Sequence, residues 1–147
     1  MMKSILLVED SRFLRMATEQ SLARAGYSVV TASDGEEALR KAFASVPDLI
    51  LLDMLLPKLG GPEVLHELKH CALTAHIPVI VLSSLSQKNE AKLKKVGAIA
   101  YFEKSKLELD HDCESLIHIV KRTLDGFAEP DADESQPPYT GPQSGPC

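Results

Sequence analysis

No stretch of this 147-residue chain approaches the roughly 20 consecutive apolar residues of a membrane span. The first apolar run, Ile5-Leu6-Leu7-Val8, is too short for the hydrophobic region of a secretory signal, and acids follow it at once. Basic charge is also scarce. Sixteen Lys and Arg against 21 Asp and Glu leave a net charge of −5, which argues against a nucleic-acid partner, since phosphate binding needs a basic face. The three cysteines, Cys71, Cys113 and Cys147, form no CxxC and no paired spacing. An odd count without a secretory segment suggests reduced thiols in a cytoplasm. Nothing after Leu124 has the pattern of a helix-turn-helix or of a catalytic domain.

What is present is ordinary for a globular protein: 44% hydrophobic and 25% charged residues, at a length that suits one domain. A core of that size stands without staples. Strand and helix patterns alternate five times. The strands are expected at Ser4–Val8, Tyr27–Ala32, Leu49–Leu52, Val79–Leu82 and Ile99–Phe102. They are short and unalternating, as befits strands covered by helices on both faces. The first helix is expected near Ser11–Ala25, with Leu14, Ala17, Thr18, Ser21, Leu22 and Ala25 on one stripe. Gly26 follows as a left-handed cap. A second helix, Gly35–Ser45, buries Ala38, Leu39 and Ala42, and Pro47 stops it. A third starts after Gly60-Gly61, with Pro62 in its first turn and Val64, Leu65 and Leu68 inward. The fourth is expected over Gln87–Val96. The fifth spans about Asp112–Leu124, with Leu116, Ile117, Val120 and Leu124 inward. Regular β-α alternation implies an α/β fold with a doubly wound parallel sheet. Residues 1–125 are read as the folded domain. Residues 126–147, rich in Pro, Gly and acids, hold too few apolar groups to offset chain entropy and are read as a disordered tail.

The expected strand ends concentrate chemistry. Glu9-Asp10 follow the first strand, Asp53 the third, Ser83 the fourth, and Lys104 lies just beyond the fifth. In open parallel sheets the functional crevice lies at this carboxyl edge. Three carboxylates converging there repel, and a hard divalent cation relieves the difficulty. Mg²⁺ takes oxygen ligands and is often held against a phosphate. Asp53 is then a natural nucleophile, since carboxylates form acyl phosphates. Phosphoryl transfer asks mainly for positioning and charge neutralisation, which Mg²⁺, Lys104 and the Ser83 hydroxyl can share.

This ordered set resembles the receiver domain of two-component response regulators. Glu9-Asp10, Asp53, Ser83 and Lys104 match in order, with 30 residues from Asp53 to Ser83 and 21 from Ser83 to Lys104. Pro57 and Gly61 fit the family's loop after the phosphorylated aspartate, and Tyr101 matches its aromatic switch residue. The likeness covers about Lys3–Leu124. It implies a flavodoxin-like sheet of order 2-1-3-4-5 flanked by five helices. It implies that Asp53 accepts phosphate from a sensor histidine kinase or a histidine phosphotransfer protein. Glu9, Asp10 and Asp53 would bind Mg²⁺ with the Leu55 backbone carbonyl. Phosphorylation would draw Ser83 toward the phosphoryl group and Tyr101 inward. The face formed by the fourth helix, fifth strand and fifth helix would then change its preference for an effector protein. Such a chain is not a turnover enzyme; it catalyses only its own phosphorylation and dephosphorylation.

The family usually has proline in a cis peptide after the lysine, whereas Ser105 follows Lys104 here. A cis bond to serine costs a few kcal/mol, so a trans peptide with a rearranged loop or a strained cis one is expected. Leu55 and Leu85, two residues after Asp53 and Ser83, would shield the acyl phosphate from water and slow its loss. Lys88, Lys92 and Lys95 share a helix face and form either a solvated surface or a patch for an acidic partner. The five histidines, His66, His70, His76, His111 and His118, show no metal-like arrangement with other ligands and are read as ordinary surface or interface residues, with His66 and His70, i and i+4 on a helix, the pair that could bind a stray metal. A phosphatase of the haloacid-dehalogenase type would place a second Asp where Leu55 stands. A docking module that is never phosphorylated would have lost an acid or the lysine. A relay intermediate, or a receiver belonging to a larger hybrid kinase or regulator, remains open, with Met1-Met2 favouring a free-standing protein.

Overall fold

The computed structural model describes residues 2–83, 97–104 and 113–126. In chain order these form β1 (Ser4–Val8), α1 (Arg12–Arg24), β2 (Ser28–Ala32), α2 (Gly35–Ser45), β3 (Leu49–Asp53), α3 (Gly61–Lys69), β4 (Val79–Ser83), β5 (Ala100–Glu103) and α4 (Glu114–Gly126). Four helices are thus seen among the described residues. α4 is the helix expected fifth in the sequence. The helix expected over Gln87–Val96, the Lys88, Lys92 and Lys95 face, Leu85, Ser105 and the tail from residue 127 lie outside the described residues.

The five strands form one sheet of order β2-β1-β3-β4-β5, and every neighbouring pair is parallel. β3 and β4 are buried along their whole length. Successive side chains point to opposite faces, so each apolar run serves two cores at once. Leu6, Val8, Ile50, Leu52, Val79 and Val81 meet Ala38 and Ala42 of α2 and Val64, Leu65 and Leu68 of α3. Ile5, Leu7, Leu49, Leu51, Ile80 and Leu82 meet Leu22 of α1 and Leu116 and Val120 of α4. The absence of alternation in these strands follows from helices lying on both sides.

Local sequence sets the helix ends. Ser11 caps α1, its side chain accepting from the Leu14 N–H at 3.4 Å. Gly26 takes φ +103° just past the end of α1, as a left-handed stop requires. Val46 ends α2 at φ 41°, directly ahead of Pro47. Some expectations need correction. Asp53 and Ser83 are the last residues of β3 and β4 rather than the first beyond them, because the Met54 N–H still bonds the Leu82 carbonyl at 3.1 Å and carries the ladder one step further. Ala25 is exposed, since α1 ends at Arg24 before its stripe returns to the core. Cys113 is a free buried thiol.

The start of α2 is densely bonded. Asp34 accepts from the Glu37 N–H at 2.8 Å. Glu37 reaches back to the Ser33 N–H at 2.8 Å and its hydroxyl at 3.1 Å, a variant of the capping box. Lys41 joins Glu37 at 3.0 Å and donates to the Thr31 carbonyl at 2.6 Å, tying α2 to the edge strand β2. The Ser33 N–H, then Lys41, lower the Glu37 carboxyl from its ordinary 4.5 to about 2. A depressed folded-state pKa stabilises above the unfolded value and is lost as pH falls. Urea unfolding of wild type and Glu37→Gln should therefore differ fully at neutral pH. The difference should shrink between pH 4.5 and about 2. A difference that stays constant across that window would contradict this assignment.

Candidate functional site

The register of the sheet brings the strand ends together. Val8 pairs with Leu52, so Glu9 and Asp53 are the next positions on adjacent strands. Asp53 pairs with Leu82 and Ser83 with Glu103, which carries the same edge across to Lys104. Glu9, Asp53 and Ser83 are each 1% exposed, an unusual depth for two carboxylates.

Lys104 joins those carboxylates. Its Nζ lies 3.0 Å from Asp53 Oδ2 and 3.1 Å from Glu9 Oε2. The other Asp53 oxygen, Oδ1, accepts from the Leu55 N–H at 3.2 Å. Glu9 Oε2 also accepts from the Ser11 N–H at 3.0 Å, linking the acid to the cap of α1. Glu9 Oε1 is 3.0 Å from the ammonium, yet it is buried and receives no directed hydrogen bond. Burial, together with the neighbouring Asp53 charge, raises the Glu9 pKa against the pull of the Ser11 N–H and Lys104. For Lys104, burial acts downward, but the bonds and charges of Asp53 and Glu9 outweigh it and the net shift is upward. Each charge is thus held by its opposite.

Asp10 is exposed, and one carboxylate oxygen from each of Glu9, Asp10 and Asp53 lies within 4.8 Å of the others. Three hard oxygens this close together fit a divalent cation of the Mg²⁺ type. Ser83 ends β4 beside this group. Tyr101 pairs with Val81 on the neighbouring strand and packs, partly buried, against the core beneath α2 and α3. The Leu55 side chain is 60% exposed, and its backbone N–H meets the Asp53 carboxylate.

Two contributors are not evident from the strand-end pattern. Arg15 donates from Nη1 to the Glu9 carbonyl at 2.9 Å and the Asp10 carbonyl at 3.4 Å, bracing the acidic turn from α1. A cation one turn inside a helix that follows two acids is the signal that could have found it. Gly61 is the second. A Cβ there would stand 2.5 Å from both the Asp53 carbonyl oxygen and Met54 Cα, so only glycine lets α3 start against the Asp53 loop. The Gly61 N–H bonds the Met54 carbonyl at 3.1 Å in that gap.

Residues 5–111 match the family model for the response regulator receiver domain. The chain belongs to the response regulator receiver family. Over 105 residues it is 42% identical to the alkaline phosphatase synthesis transcriptional regulatory protein PhoP of Bacillus subtilis, covering 71% of this chain and 43% of that protein. It is 44% identical over 108 residues to the gliding motility regulatory protein of Myxococcus xanthus, covering 72% of this chain and 14% of that one. The chain therefore spans less than half the length of these curated relatives. Among solved structures, the chemotaxis response regulator CheY4 of Vibrio cholerae superposes with a TM-score of 0.75 at 30% identity, covering 83% of this chain and 98% of that one. Family membership makes the chain a CheY-like receiver module of the two-component type. No helix among the described residues is long and apolar enough to cross a membrane.

The receiver's carboxylate pair depends on Lys104. Removing one member of a buried ion pair leaves an uncompensated charge, at a cost of about 3 kcal/mol. Lys104→Met should lower unfolding free energy by about that much at neutral pH without Mg²⁺. Adding Asp53→Asn to the same variant should recover part of the loss. Urea denaturation of the two variants checks both statements, and an unchanged stability in Lys104→Met would refute them.

Proposed function

We propose that Asp53 accepts a phosphoryl group from the phosphohistidine of a sensor histidine kinase or histidine phosphotransfer protein, and that the phosphorylated receiver changes its binding to an effector protein. The observation that carries this reading is the position of Asp53, buried between a backbone N–H on one oxygen and the Lys104 ammonium on the other, with Glu9 and Asp10 alongside. A carboxylate held by two donors is oriented for attack. An Asp53 oxygen forms the new O–P bond as the N–P bond of phosphohistidine breaks, and the imidazole leaves with its electron pair and then takes a proton.

Glu9, Asp10, Asp53 and the Leu55 carbonyl would hold Mg²⁺, which when bound supplies positive charge to the phosphoryl oxygens. Lys104 pairs with another phosphoryl oxygen, exchanging its contact with the free carboxylate for one with the product. Ser83 donates its hydroxyl to a third oxygen. Drawing Ser83 toward the phosphoryl group leaves room for Tyr101 to turn inward. That couples the acid edge to the face made by β5, α4 and the segment expected as the fourth helix. A switch of this kind needs only two states close in energy and a new local charge to bias them.

The protein is read as a cytoplasmic phosphoprotein that catalyses its own phosphorylation and dephosphorylation and turns over no other substrate. Residues 1–125 form the receiver and 126–147 a tail, with α4 extending to Gly126, one residue past that boundary.

Intact mass after incubation with Mg²⁺ and acetyl phosphate tests the reading. Wild type should gain one phosphoryl group, and Asp53→Asn or added EDTA should abolish the gain. No adduct, where a control receiver is labelled under the same conditions, would refute it. Decay of the adduct should quicken in Leu55→Asn if the leucine keeps water from the acyl phosphate, and an unchanged half-life would remove that role.

A further inference from the structure

The exposed side of α3 carries His66 and His70, four residues apart and therefore neighbours on the helix surface. Their rings stack, with centroids 3.9 Å apart and planes inclined by 29°. The His66 carbonyl accepts twice from His70, from its backbone N–H at 3.1 Å and its ring Nδ1 at 2.8 Å. A carbonyl oxygen can only accept, so His70 Nδ1 carries a proton. In the neutral ring the lone pair then sits on Nε2. That is the arrangement of a metal-binding histidine, whose second nitrogen donates to a backbone carbonyl and fixes the ring. Because the same bond caps a carbonyl of the last turn, the ring is held in place before any ion arrives.

We propose that His66 and His70 form a surface site for a borderline divalent transition metal, separate from the acidic edge of the sheet. Two imidazoles one turn apart supply the protein ligands, and water completes the coordination shell. Imidazole suits nickel, copper and zinc, whereas carboxylates and carbonyls suit magnesium, so ligand chemistry divides the two sites between different ions. Glu63 and Glu67 lie on the exposed side as well. Neither joins the histidines in a three-ligand group, the acidic edge being the one such group among the described residues. The site therefore starts from two ligands. An ion bridging His66 and His70 would fasten the final turn of a helix only nine residues long.

Isothermal titration with Ni²⁺ tests this, using the full untagged chain with Mg²⁺ present throughout to occupy the acidic edge. Wild type should bind one Ni²⁺. His66→Gln and His70→Gln should each weaken binding by about tenfold or more. A His76→Gln/His118→Gln control, changing two other exposed histidines, should bind as wild type does. Ni²⁺ should also raise Tm in wild type and in the control, but not in the His66 or His70 variants. Absence of saturable binding, wild-type affinity in either the His66 or the His70 variant, or loss of binding in the control alone would each overturn the proposal.

Discussion

Two carboxylates buried side by side at the end of a sheet need a cation between them, and in this chain Lys104 supplies it. The ammonium sits 3.0 Å from Asp53 and 3.0 Å from Glu9 Oε1. Much of the molecule serves to bring these three groups together. The parallel register sets Glu9 beside Asp53, and β5 delivers Lys104 from the far end of the sequence. The two cores anchor the strands from both faces, so the edge has a fixed geometry on which charges can be arranged.

The arrangement is satisfied but not saturated. Lys104 holds the pair, while Glu9 Oε1 has no directed donor and Asp10 faces solvent a short distance away. Attraction to a divalent cation follows from that imbalance, since it adds positive charge where the receiver's carboxylates are incompletely matched. The backbone contributes equally. The Leu55 N–H fixes one Asp53 oxygen, Arg15 braces the Glu9-Asp10 turn, and Gly61 admits the start of α3 beside the Asp53 carbonyl.

The parallel sheet was legible because apolar runs such as Leu49–Leu52 and Val79–Leu82 are short, unalternating and regularly separated by helical patterns, whereas its strand order came with the family resemblance. Glu9, Asp53, Ser83 and Lys104 were legible because each closes or follows such a run. What lay beyond reach depends on distances across the fold. Whether Asp53 still pairs with β4 is decided by one bond from Met54 to Leu82. Arg15 reads as a helix-surface cation until its reach to two carbonyls is seen. Gly61 matches a loop pattern in the sequence, but the contact that demands glycine comes from a different element. The stacking of His66 on His70 is likewise invisible in a spacing that many helices share.

The central claim is that the acidic edge is built for a divalent cation beside Asp53. Unfolding free energy measured against Mg²⁺ concentration, at constant ionic strength, tests it most directly. Binding to the folded state alone predicts a saturable onset and then a gain of about 1.4 kcal/mol per tenfold rise in Mg²⁺. Asp10→Asn and Asp53→Asn should move that onset to higher Mg²⁺, so that the gain at a given concentration is smaller. An equal gain in wild type and both variants, or none in wild type, would contradict the account.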